Sequence, residues 1–290
     1  MENTFKYSEA ISRNIGWVTR EEQEVLRKKR VAIAGMGGVG GIHLLTLVRL
    51  GIGAFTIADL DVFEIVNFNR QAGAMMTTIG QSKVETLARM ALDINPELDL
   101  RIFNNGVSQN NITEFLDGAD LYVDGMDFFA YPERQAIFST CYRQGIPATT
   151  AAPLGMGAAL LNFLPGGMSF EEYFCWGDHS DEEKGVRFLL GLAPAGLQFG
   201  YLVDPTAVNL EEHRGPSTIM ACQICAGMAA TEALKILLKR GKVIAAPHGL
   251  QFDAYRNRFV HTWRPGGNRN PLQRIAIMIA KKRLEKLKRG

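Results

Sequence analysis

Blocks of apolar residues divide the first half of the chain into short strands and longer helices. Short runs of mainly apolar residues predict buried strands at residues 31–34, 55–58 and 119–123, because both faces of a central parallel strand are covered. Apolar positions three and four residues apart predict one helix after residue 40 and another that starts at residue 82. Strands that alternate with helices in this way predict an α/β fold, with a mostly parallel sheet and helices on both faces.

The segments on either side of this unit give weaker signals. Thr19 and Glu22 have the spacing of a capping box, which predicts a helix through about residue 29, and the segment before Thr19 predicts a loop. The apolar spacing of Ile219–Lys239 is strongly helical, whereas residues 165–218 predict mostly loops. The other expected elements are strands at 98–104, 146–150, 155–164, 250–253 and 258–263, and helices at 112–116, from 132, and at 272–289.

A glycine-rich turn separates the strand at 31–34 from the helix that follows it. Gly35, Gly37 and Gly40 fall at the spacing G-x-G-x-x-G, and Asp59 ends the next strand about 20 residues later. Glycine permits a tight turn and lets a phosphate approach the backbone, the helix N-terminus attracts that phosphate, and the acid accepts hydrogen bonds from a ribose. The unit therefore predicts nucleotide binding, with a purely structural glycine turn as the alternative. The sequence has no G-x-x-x-x-G-K-[ST], so we expect no P-loop.

Charged residues gather where the predicted strands end. Asp59, Asp124 and Asp127 follow strands whose carboxyl ends meet at one edge of the sheet, which is where open α/β sheets bind ligands. An aspartate beside a nucleotide phosphate suits Mg²⁺, and an aspartate there is also suited to capping a helix. Lys83 lies in the first turn of its helix, where it opposes the helix dipole unless an anionic ligand is near; a surface lysine is the alternative.

Composition narrows the class of protein. The 290 residues are 47% hydrophobic and 21% charged with a net charge of +2, as in ordinary soluble domains, and this charge argues neither for nor against nucleic acid. The first residues contain no apolar signal segment, and no run approaches the ~18 apolar residues of a membrane span. Four cysteines suit a reducing compartment better than a disulfide framework. We therefore expect a cytoplasmic protein without a membrane partner.

Four motifs, in order, carry a resemblance to a known family. They are GMGGVGG, DLDVFEIVNFNRQ, GQSKVE and DLYVDGMD, and the similarity covers roughly residues 7–150 and resumes at 219–240. In these motifs the chain resembles the ThiF/MoeB/HesA superfamily, the bacterial relatives of ubiquitin-activating enzymes. The resemblance implies adenylation of a carboxylate with ATP and Mg²⁺ and release of pyrophosphate. That carboxylate is commonly the C-terminal glycine of a ubiquitin-like or sulfur-carrier protein, with a peptide as a further candidate.

The resemblance also organises the chain as a whole. We expect one ThiF-type adenylation domain over residues 1–290, because no linker or repeat divides it. Its fold should be Rossmann-like and doubly wound, with an extended C-terminal part. Its parts are an N-terminal arm and helix (1–30), a nucleotide-binding half (30–150), a substrate-side half (151–265) and a basic C-terminal helix (266–290).

Individual residues receive roles from the same resemblance. Arg13, which on local grounds is a surface arginine, is similar to an arginine that enters the partner subunit's active site in a homodimer. Asp127 looks like the Mg²⁺ ligand. Fixed cations and Mg²⁺ would stabilise charge on the leaving pyrophosphate, so Arg13, Arg70, Lys83 and Asp127 are the implied catalytic residues. The implied nucleotide-binding residues are Gly35, Gly37, Gly38, Gly40, Asp59, Asp61, Asn67, Arg70 and Lys83.

The chain departs from the family in its cysteines. Many relatives hold a structural zinc with two C-x-x-C pairs, whereas this sequence has one, Cys222 and Cys225, so we expect no zinc. Where some relatives carry a catalytic cysteine, shortly before the helix at 219, this chain has Glu212 and His213. Cys175 is interpreted as packing rather than as a substitute nucleophile. Cys141 has no cysteine neighbour at ligand spacing, and His179 and His213 are interpreted as surface or core residues.

Other functions fit parts of the sequence. A threonylcarbamoyladenosine dehydratase, which acts on a modified tRNA base, also fits the G-I-G-x-x-T-I-x-D-x-D stretch at residues 51–61 and the N-R-Q stretch. It is the alternative that would bring nucleic acid as a partner. An NAD(P)-binding oxidoreductase shares the glycine unit but does not need Arg70, Lys83 and Asp127 around a triphosphate. A non-catalytic nucleotide-binding scaffold would be expected to have lost one of these three residues, and none is lost.

Overall fold

A single sheet forms the centre of the protein. The computed structural model describes residues 4–208 and 215–289, with side chains through residue 282. The strands in these ranges are β1 (Arg30–Ala34), β2 (Ala54–Ala58), β3 (Asp99–Phe103), β4 (Leu121–Asp124), β5 (Ala148–Leu154), β6 (Gly157–Phe163), β7 (His248–Asp253) and β8 (Arg258–Trp263).

The order of the strands determines where a ligand can bind. From edge to edge the order is β3-β2-β1-β4-β5-β6-β7-β8. The first five strands pair in parallel, and the last three pairings are antiparallel. From β1 the chain goes to β2 on one side, and from β3 it returns to β4 on the other side. The crevice between the carboxyl ends of β1 and β4 is therefore a topological switch point, the usual ligand site of an open α/β sheet.

Helices cover both faces of this sheet, which confirms the predicted fold class. They are α1 (Tyr7–Ala10), α2 (Arg20–Arg27), α3 (Gly40–Leu50), α4 (Lys83–Ile94), α5 (Ile112–Phe115), α6 (Tyr131–Gln144), α7 (Phe170–Phe174), α8 (Asp181–Leu192), α9 (Ile219–Leu238) and α10 (Pro271–Arg289). Short 3₁₀ turns lie at Ser12–Asn14, Ile65–Asn67, Leu197–Tyr201, Pro205–Ala207 and Gly267–Arg269.

Two hydrophobic cores join the helices to the sheet. One core contains Leu44 of α3, Leu87 of α4 and Cys225 of α9, and the other contains Phe138 of α6 and Phe174 of α7. β1, β4 and β6 are buried along their whole length between these cores. This explains why their sequences are apolar without alternation, and why the apolar runs predicted central strands correctly.

Residues 165–218 contain more helix than the sequence pattern predicts. The Ser169 side chain accepts a hydrogen bond from the backbone N–H of Glu172, and the Ser180 side chain accepts one from the backbone N–H of Glu183. These caps start α7 and α8, so the acidic stretch DEEK forms the polar first turn of a helix whose later turns are buried. The loop expected there was wrong because this S-x-x-E signal was missed. The loop expected before Thr19 was also wrong, since that segment forms α1 and a 3₁₀ turn.

α9 needs a second correction. By length and composition alone it is apolar enough to cross a membrane, with a mean hydropathy of 1.4, contrary to the expectation that no segment would be. Small apolar residues, mainly alanine and cysteine, contribute to this value. The helix packs against β5, β6 and α3, and Ala221, Cys225 and Ala229 are fully buried there. A helix that packs on the core of a soluble protein passes the same test of composition. α9 packs on the sheet in this way, with 44% of the tested segment buried.

Candidate functional site

The glycine loop between β1 and α3 is closed by direct packing of backbone on backbone. Gly35 has a φ of +88°, which glycine adopts at little cost. A Cβ at Gly40 would overlap the carbonyl of Gly35, and a Cβ at Gly125 would lie 2.6 Å from the same carbonyl oxygen. Side chains are therefore excluded at all three positions. Gly125 was not predicted, although it lies directly after β4 in the D-G-M-D stretch.

Asp59 fixes this loop from the end of β2. Its Oδ2 accepts a hydrogen bond from the backbone N–H of Met36 at 2.6 Å, and its Oδ1 accepts one from the N–H of Asp61 at 2.8 Å. Burial raises the pKa of the Asp59 carboxyl, and these two hydrogen bonds partly offset the rise. The carboxylate thus lies beside the loop, where the sequence places it. Its role as the ribose acceptor stays a prediction.

Lys83 begins α4, as predicted, and Asp61 holds it in place. The Lys83 Nζ lies 2.9 Å from Asp61 Oδ2, and the Lys83 N–H donates to the Asp61 carbonyl at 2.9 Å. The Lys83 side chain is only 9% exposed, whereas that of Asp61 is 58% exposed. A chain of contacts therefore runs from Met36 through Asp59 and Asp61 to the buried lysine. This burial removes the alternative that Lys83 is an ordinary surface lysine.

Arg70 reaches the loop from the segment between β2 and α4. A Cβ at Gly38 would lie 3.3 Å from the Arg70 Cγ, so the stem of the arginine packs directly against the glycine loop. The Nη1 of Arg70 donates to the carbonyl of Val66 at 3.1 Å and to Oδ1 of Asn69 at 2.9 Å. The guanidinium is half-buried and has no carboxylate partner among the described residues. Its charge is therefore available to an anion at the loop.

Asn67 shapes the turn that carries this arginine. Its buried Oδ1 accepts a hydrogen bond from the N–H of Glu64 at 2.9 Å. The Asn67 carbonyl accepts hydrogen bonds from the N–H groups of Arg70, at 3.2 Å, and Gln71, at 2.9 Å. Asn67 thus orients Arg70 through the backbone. The phosphate contact that the resemblance implies for Asn67 stays a prediction.

Two further residues beside the loop were not predicted. Gln71 is buried, its Nε2 lies 3.7 Å from the Cβ position of Gly37, and its Oε1 has no hydrogen-bond partner among the described residues. Cys222, in the first turn of α9, has its Sγ 3.3 Å from the Cβ position of Gly38, and burial raises the pKa of its thiol. Gln71 belongs to the N-R-Q stretch, which was a usable signal. Cys222 gave none, because the fold brings it from far along the chain.

The two aspartates that follow β4 lie in different environments. Asp124 is buried and forms an ion pair with Arg134, whose Nε donates to Asp124 Oδ2 at 2.8 Å. The hydroxyl of Thr150 donates to the same oxygen at 2.9 Å. Asp127 is exposed, and its Oδ1 accepts a hydrogen bond from the N–H of Phe129 at 3.0 Å. Asp124 is therefore a structural residue, and Asp127 is the one of these two acids that solvent or a ligand can reach.

Arg134 also holds the segment that carries Asp127. Its Nη2 donates to the carbonyls of Met126, at 3.0 Å, and Asp127, at 2.8 Å, and its Nη1 donates to that of Phe128 at 3.1 Å. Its guanidinium lies over the ring of Phe188, 4.7 Å from the centroid. One buried arginine thus fixes the position of the predicted metal-binding acid without contacting the glycine loop. Sequence reasoning missed this residue.

Within a single chain, Arg13 is not connected to the other predicted catalytic residues. It lies in the 3₁₀ turn after α1 and is exposed. Within the described ranges it makes no hydrogen bond or ion pair. Its predicted place in a partner's site stays a prediction.

The cysteines are free thiols. Cys141, Cys222 and Cys225 are buried, and Cys175, at the end of α7, is partly exposed with a φ of +53°. Burial raises the pKa of Cys175, which disfavours the thiolate that a nucleophile needs. In residues 4–208 and 215–289 no group of three or more His, Cys, Asp and Glu side chains is arranged to hold a metal. The expected absence of zinc stays a prediction.

The two remaining histidine interpretations have different outcomes. His179 is partly exposed, with its Nδ1 3.3 Å from Glu183, and is therefore a surface histidine. Glu212 and His213 lie outside the described residues.

This donor set fits a nucleoside triphosphate. The loop offers a backbone surface without side chains, Arg70 and Lys83 supply two positive charges beside it, and Asp59 supplies an acceptor. The fold and a glycine loop at its switch point are those of the nucleotide-binding α/β class.

Comparison with known proteins identifies the family within that class. The model of the ThiF family matches residues 11–275, and the chain belongs to the ThiF family. The tRNA threonylcarbamoyladenosine dehydratase of Bacillus subtilis is 33% identical over 149 residues, which are 51% of this chain and 56% of that protein. The SAMP-activating enzyme E1 of Haloferax volcanii is 29% identical over 224 residues, which are 77% of this chain and 73% of that protein.

A solved structure supports the same fold. The crystal structure of Escherichia coli MccB with ATP aligns with a TM-score of 0.62 at 19% identity, over 83% of this chain and 65% of that one. The chain spans about half the length of the tRNA threonylcarbamoyladenosine dehydratases it matches. The family resemblance drawn from the four motifs is confirmed.

Proposed function

We propose that this protein is an ATP-dependent adenylyltransferase that activates a carboxylate as an acyl-adenylate. The observation that carries the proposal is the pair of cations beside the glycine loop. Arg70 packs its stem on Gly38, and Lys83 is buried against Asp61. A dinucleotide oxidoreductase needs the loop but not these two cations. A triphosphate would give Arg70 an anionic partner and would add a second anion beside Lys83, which Asp61 holds in place. The relatives named as activating enzymes belong to the same family.

The proposed reaction needs stabilisation of negative charge rather than a general base. A carboxylate oxygen attacks the α-phosphorus of ATP, the bond to the bridging oxygen breaks, and pyrophosphate leaves with the electron pair. The attacking carboxylate is already ionised near pH 7, so no proton has to move. Negative charge accumulates on the leaving group, where fixed cations such as Arg70 and Lys83 stabilise it without reorganising. No thioester cysteine enters this scheme.

Asp127 is the proposed ligand of Mg²⁺. It is exposed at the switch point, its Oδ1 is engaged by the N–H of Phe129, and Arg134 fixes its backbone. Hard oxygen donors suit Mg²⁺, which usually keeps several waters and binds one or two carboxylates together with the phosphates. When bound, the ion supplies further stabilisation of phosphate charge.

Two kinds of acceptor are compatible with the relatives. The Haloferax protein is named for activating SAMP, and the family resemblance implies the C-terminus of a ubiquitin-like or sulfur-carrier protein or of a peptide. The Bacillus protein is named for dehydrating threonylcarbamoyladenosine in tRNA, a group that itself carries the threonine carboxylate. We propose the protein or peptide carboxylate first, because the Haloferax match extends over a larger share of both chains.

Exchange of radiolabelled pyrophosphate into ATP tests the proposal. Three acceptors are compared: a sulfur-carrier protein ending in Gly-Gly, a short peptide with a free C-terminus, and tRNA containing threonylcarbamoyladenosine. We expect exchange with the protein or the peptide, and its loss when that C-terminus is amidated. Exchange with the tRNA alone would favour the dehydratase alternative over a protein or peptide acceptor. Exchange that persists with the amidated acceptors would contradict carboxylate activation.

We further propose a homodimer in which Arg13 completes the partner's site. Large apolar side chains are exposed close to the site in sequence, with Ile65 at 70%, Val66 at 68% and Met76 at 76% exposure, and Trp17 near Arg13 is 86% exposed. An apolar surface of this kind is typical of an interface. The unpaired Arg13 lies in the N-terminal arm that the family resemblance places at the dimer interface.

Mixed dimers test this arrangement. Arg13→Ala and Asp127→Asn should each be nearly inactive alone, and mixing them should restore activity, because one site of each heterodimer then has both residues. Mixing two preparations of Arg13→Ala that carry different tags is the control and should restore nothing. Demonstrably mixed dimers without recovery would mean that Arg13 does not act across the interface. We also propose a cytoplasmic location, in keeping with the four free cysteines.

A further inference from the structure

The last helix, α10, is held firmly along one side. Ile277 is buried against the helical layer, and the Gln273 side chain donates to the carbonyl of Leu190 in α8. Further along, the Lys281 Nζ lies 2.7 Å from Glu183 of α8. These contacts fix which face of α10 packs on the protein and therefore which face points away from it.

The outward face carries four exposed large apolar side chains beside the exposed Arg274. Leu272, Ile275, Met278 and Ile279 are 69%, 51%, 50% and 46% exposed. Their spacing of three and four residues places them along one side of the helix. Apolar side chains that repeat on one exposed face of a docked helix form a stripe rather than isolated surface residues. Such a stripe is typical of an interaction surface.

Charge is concentrated on the same helix. Residues 271–289 contain seven lysines and arginines and one glutamate, a net charge of +6, whereas the whole chain is +2 and the rest of it is therefore −4. Lys282 is exposed and follows the apolar stripe at helical spacing from Ile275 and Ile279. α10 thus combines exposed apolar groups with a sequence that has a strong excess of positive charge.

In contrast to the expectation from the sequence of no membrane partner, we propose that α10 binds the surface of an anionic lipid bilayer, with its apolar stripe in the headgroup region. A basic helix with one apolar face has the properties of an interfacial membrane helix, in which apolar burial and attraction to anionic lipids act together. A nucleic acid would use the cations but leave the apolar stripe in water. A second copy of this chain would bring two helices of charge +6 together, which like-charge repulsion opposes.

Sedimentation with lipid vesicles tests the proposal on the full chain. One set of vesicles is pure phosphatidylcholine, and the other is an equal mixture of phosphatidylcholine and phosphatidylglycerol. We expect at least about tenfold more bound protein on the anionic vesicles, and a fall in binding as salt is raised. Equal binding to both sets, or no binding to either, would overturn the proposal.

Two matched variants separate the effect of the apolar stripe on vesicle binding from the effect of the protein's net charge. Ile275→Glu should lower binding to anionic vesicles about tenfold. Val203→Glu makes the same change of charge at a residue that is 97% exposed outside α10, and it should leave binding unchanged. Equal losses in both variants would contradict a role for the stripe.

A third variant and a second ligand identify the occupant. Ile275→Ser removes the apolar group without adding charge, so it should still weaken vesicle binding while leaving the thermal unfolding midpoint unchanged. Unmodified tRNA serves as the competing polyanion. Binding of tRNA that is insensitive to Ile275→Ser, in a protein that does not bind vesicles, would assign the helix to nucleic acid and overturn the lipid proposal.

Discussion

The two sides of the switch point are built in different ways. On the β1–β2 side, polar side chains are held by backbone hydrogen bonds, from Met36 through Asp59 and Asp61 to Lys83. On the β4 side, the chain is held by one buried arginine, Arg134, which lies over the ring of Phe188. Around that ring lies an aromatic cluster that also contains Phe163, Phe170, Phe174 and Trp176.

This difference assigns the two sides separate tasks. The β1–β2 side holds a half-buried arginine, Arg70, and a buried lysine, Lys83, near the glycine loop with little aromatic packing. Changes there should therefore affect catalysis more than folding. The β4 side encloses its charges, so changes there should affect folding first and catalysis through the position of Asp127. Each of the following changes tests one side of that division, in order of expected effect.

Removing Arg134 should be the most damaging change. Arg134→Leu leaves Asp124 buried without its cation and three backbone carbonyls without their donor, so we expect a loss of about 3–5 kcal/mol in the free energy of unfolding. Urea denaturation measures it. Arg101→Leu, which breaks the exposed pair with Asp117, is the control and should cost less than about 1 kcal/mol. Similar losses of unfolding free energy in the two variants would contradict the proposed difference between the two sides.

Removing Arg70 should affect activity instead. Arg70→Ala removes one preorganised charge from the proposed triphosphate site. The resulting fall in kcat/KM for pyrophosphate exchange should correspond to a loss of about 2–4 kcal/mol of transition-state stabilisation. The unfolding free energy should change by less than about 1 kcal/mol, because Arg70 lies in a loop. Arg89→Ala, at an exposed arginine in α4, is the matched control. An unchanged rate of pyrophosphate exchange in Arg70→Ala would mean that Arg70 does not act at the triphosphate site.

The helix that follows the glycine loop adds a dependence on pH. His43 of α3 is buried without a partner for either ring nitrogen among the described residues, and burial lowers its pKa to about 4 while Asp124 partly offsets this. Because the folded pKa lies below the unfolded value, the stability that neutral His43 allows is present above about pH 6.5 and is lost as the pH falls towards 4.

A comparison of two proteins isolates this effect. At pH 5 the loss attributable to His43 should be about 2 kcal/mol relative to pH 7, and His43→Leu should lack that component. The measurement is the unfolding free energy of both proteins at each pH, with the difference taken between them so that other titrating groups cancel. Parallel pH profiles for the two proteins would show that His43 is not the titrating group.

Asp127 should give the smallest change in stability. Asp127→Asn keeps the shape of an exposed side chain, so the unfolding free energy should change by no more than about 0.5 kcal/mol. Activity should need more Mg²⁺, because the variant loses a carboxylate ligand. Asp117→Asn, at another exposed aspartate, is the control. An unchanged Mg²⁺ requirement in Asp127→Asn would place the metal elsewhere.

The two sides also differ in how much their sequences reveal. The glycine loop, Asp59 and the start of α4 at Lys83 are specified by residues close together in sequence, so spacing alone predicts them. The ion pair of Asp61 with Lys83 follows from the fold and was not predicted. Arg134 lies in a helix where its spacing gives no sign that its partners are the preceding loop and a buried acid.

Residues 165–218 were harder to predict for a physical reason. Their aromatic residues pack with residues far away in sequence, such as Trp176 with Tyr131 and Phe188 with Phe128, and periodicity within a short window does not register such contacts. The helices α7 and α8 carry short local signals at Ser169 and Ser180, which were missed among the glycine and proline residues of the same segment. Cys222 reaches the glycine loop through a contact that no local pattern encodes.

Calorimetric titration of the wild-type protein with MgATP, and separately with NAD⁺, tests most directly whether the glycine loop holds a triphosphate. We predict that MgATP binds at least about tenfold more tightly than NAD⁺, and that Lys83→Ala removes about tenfold of the MgATP affinity while leaving NAD⁺ binding unchanged. Tighter binding of NAD⁺, or MgATP binding that is indifferent to Lys83→Ala, would contradict the account.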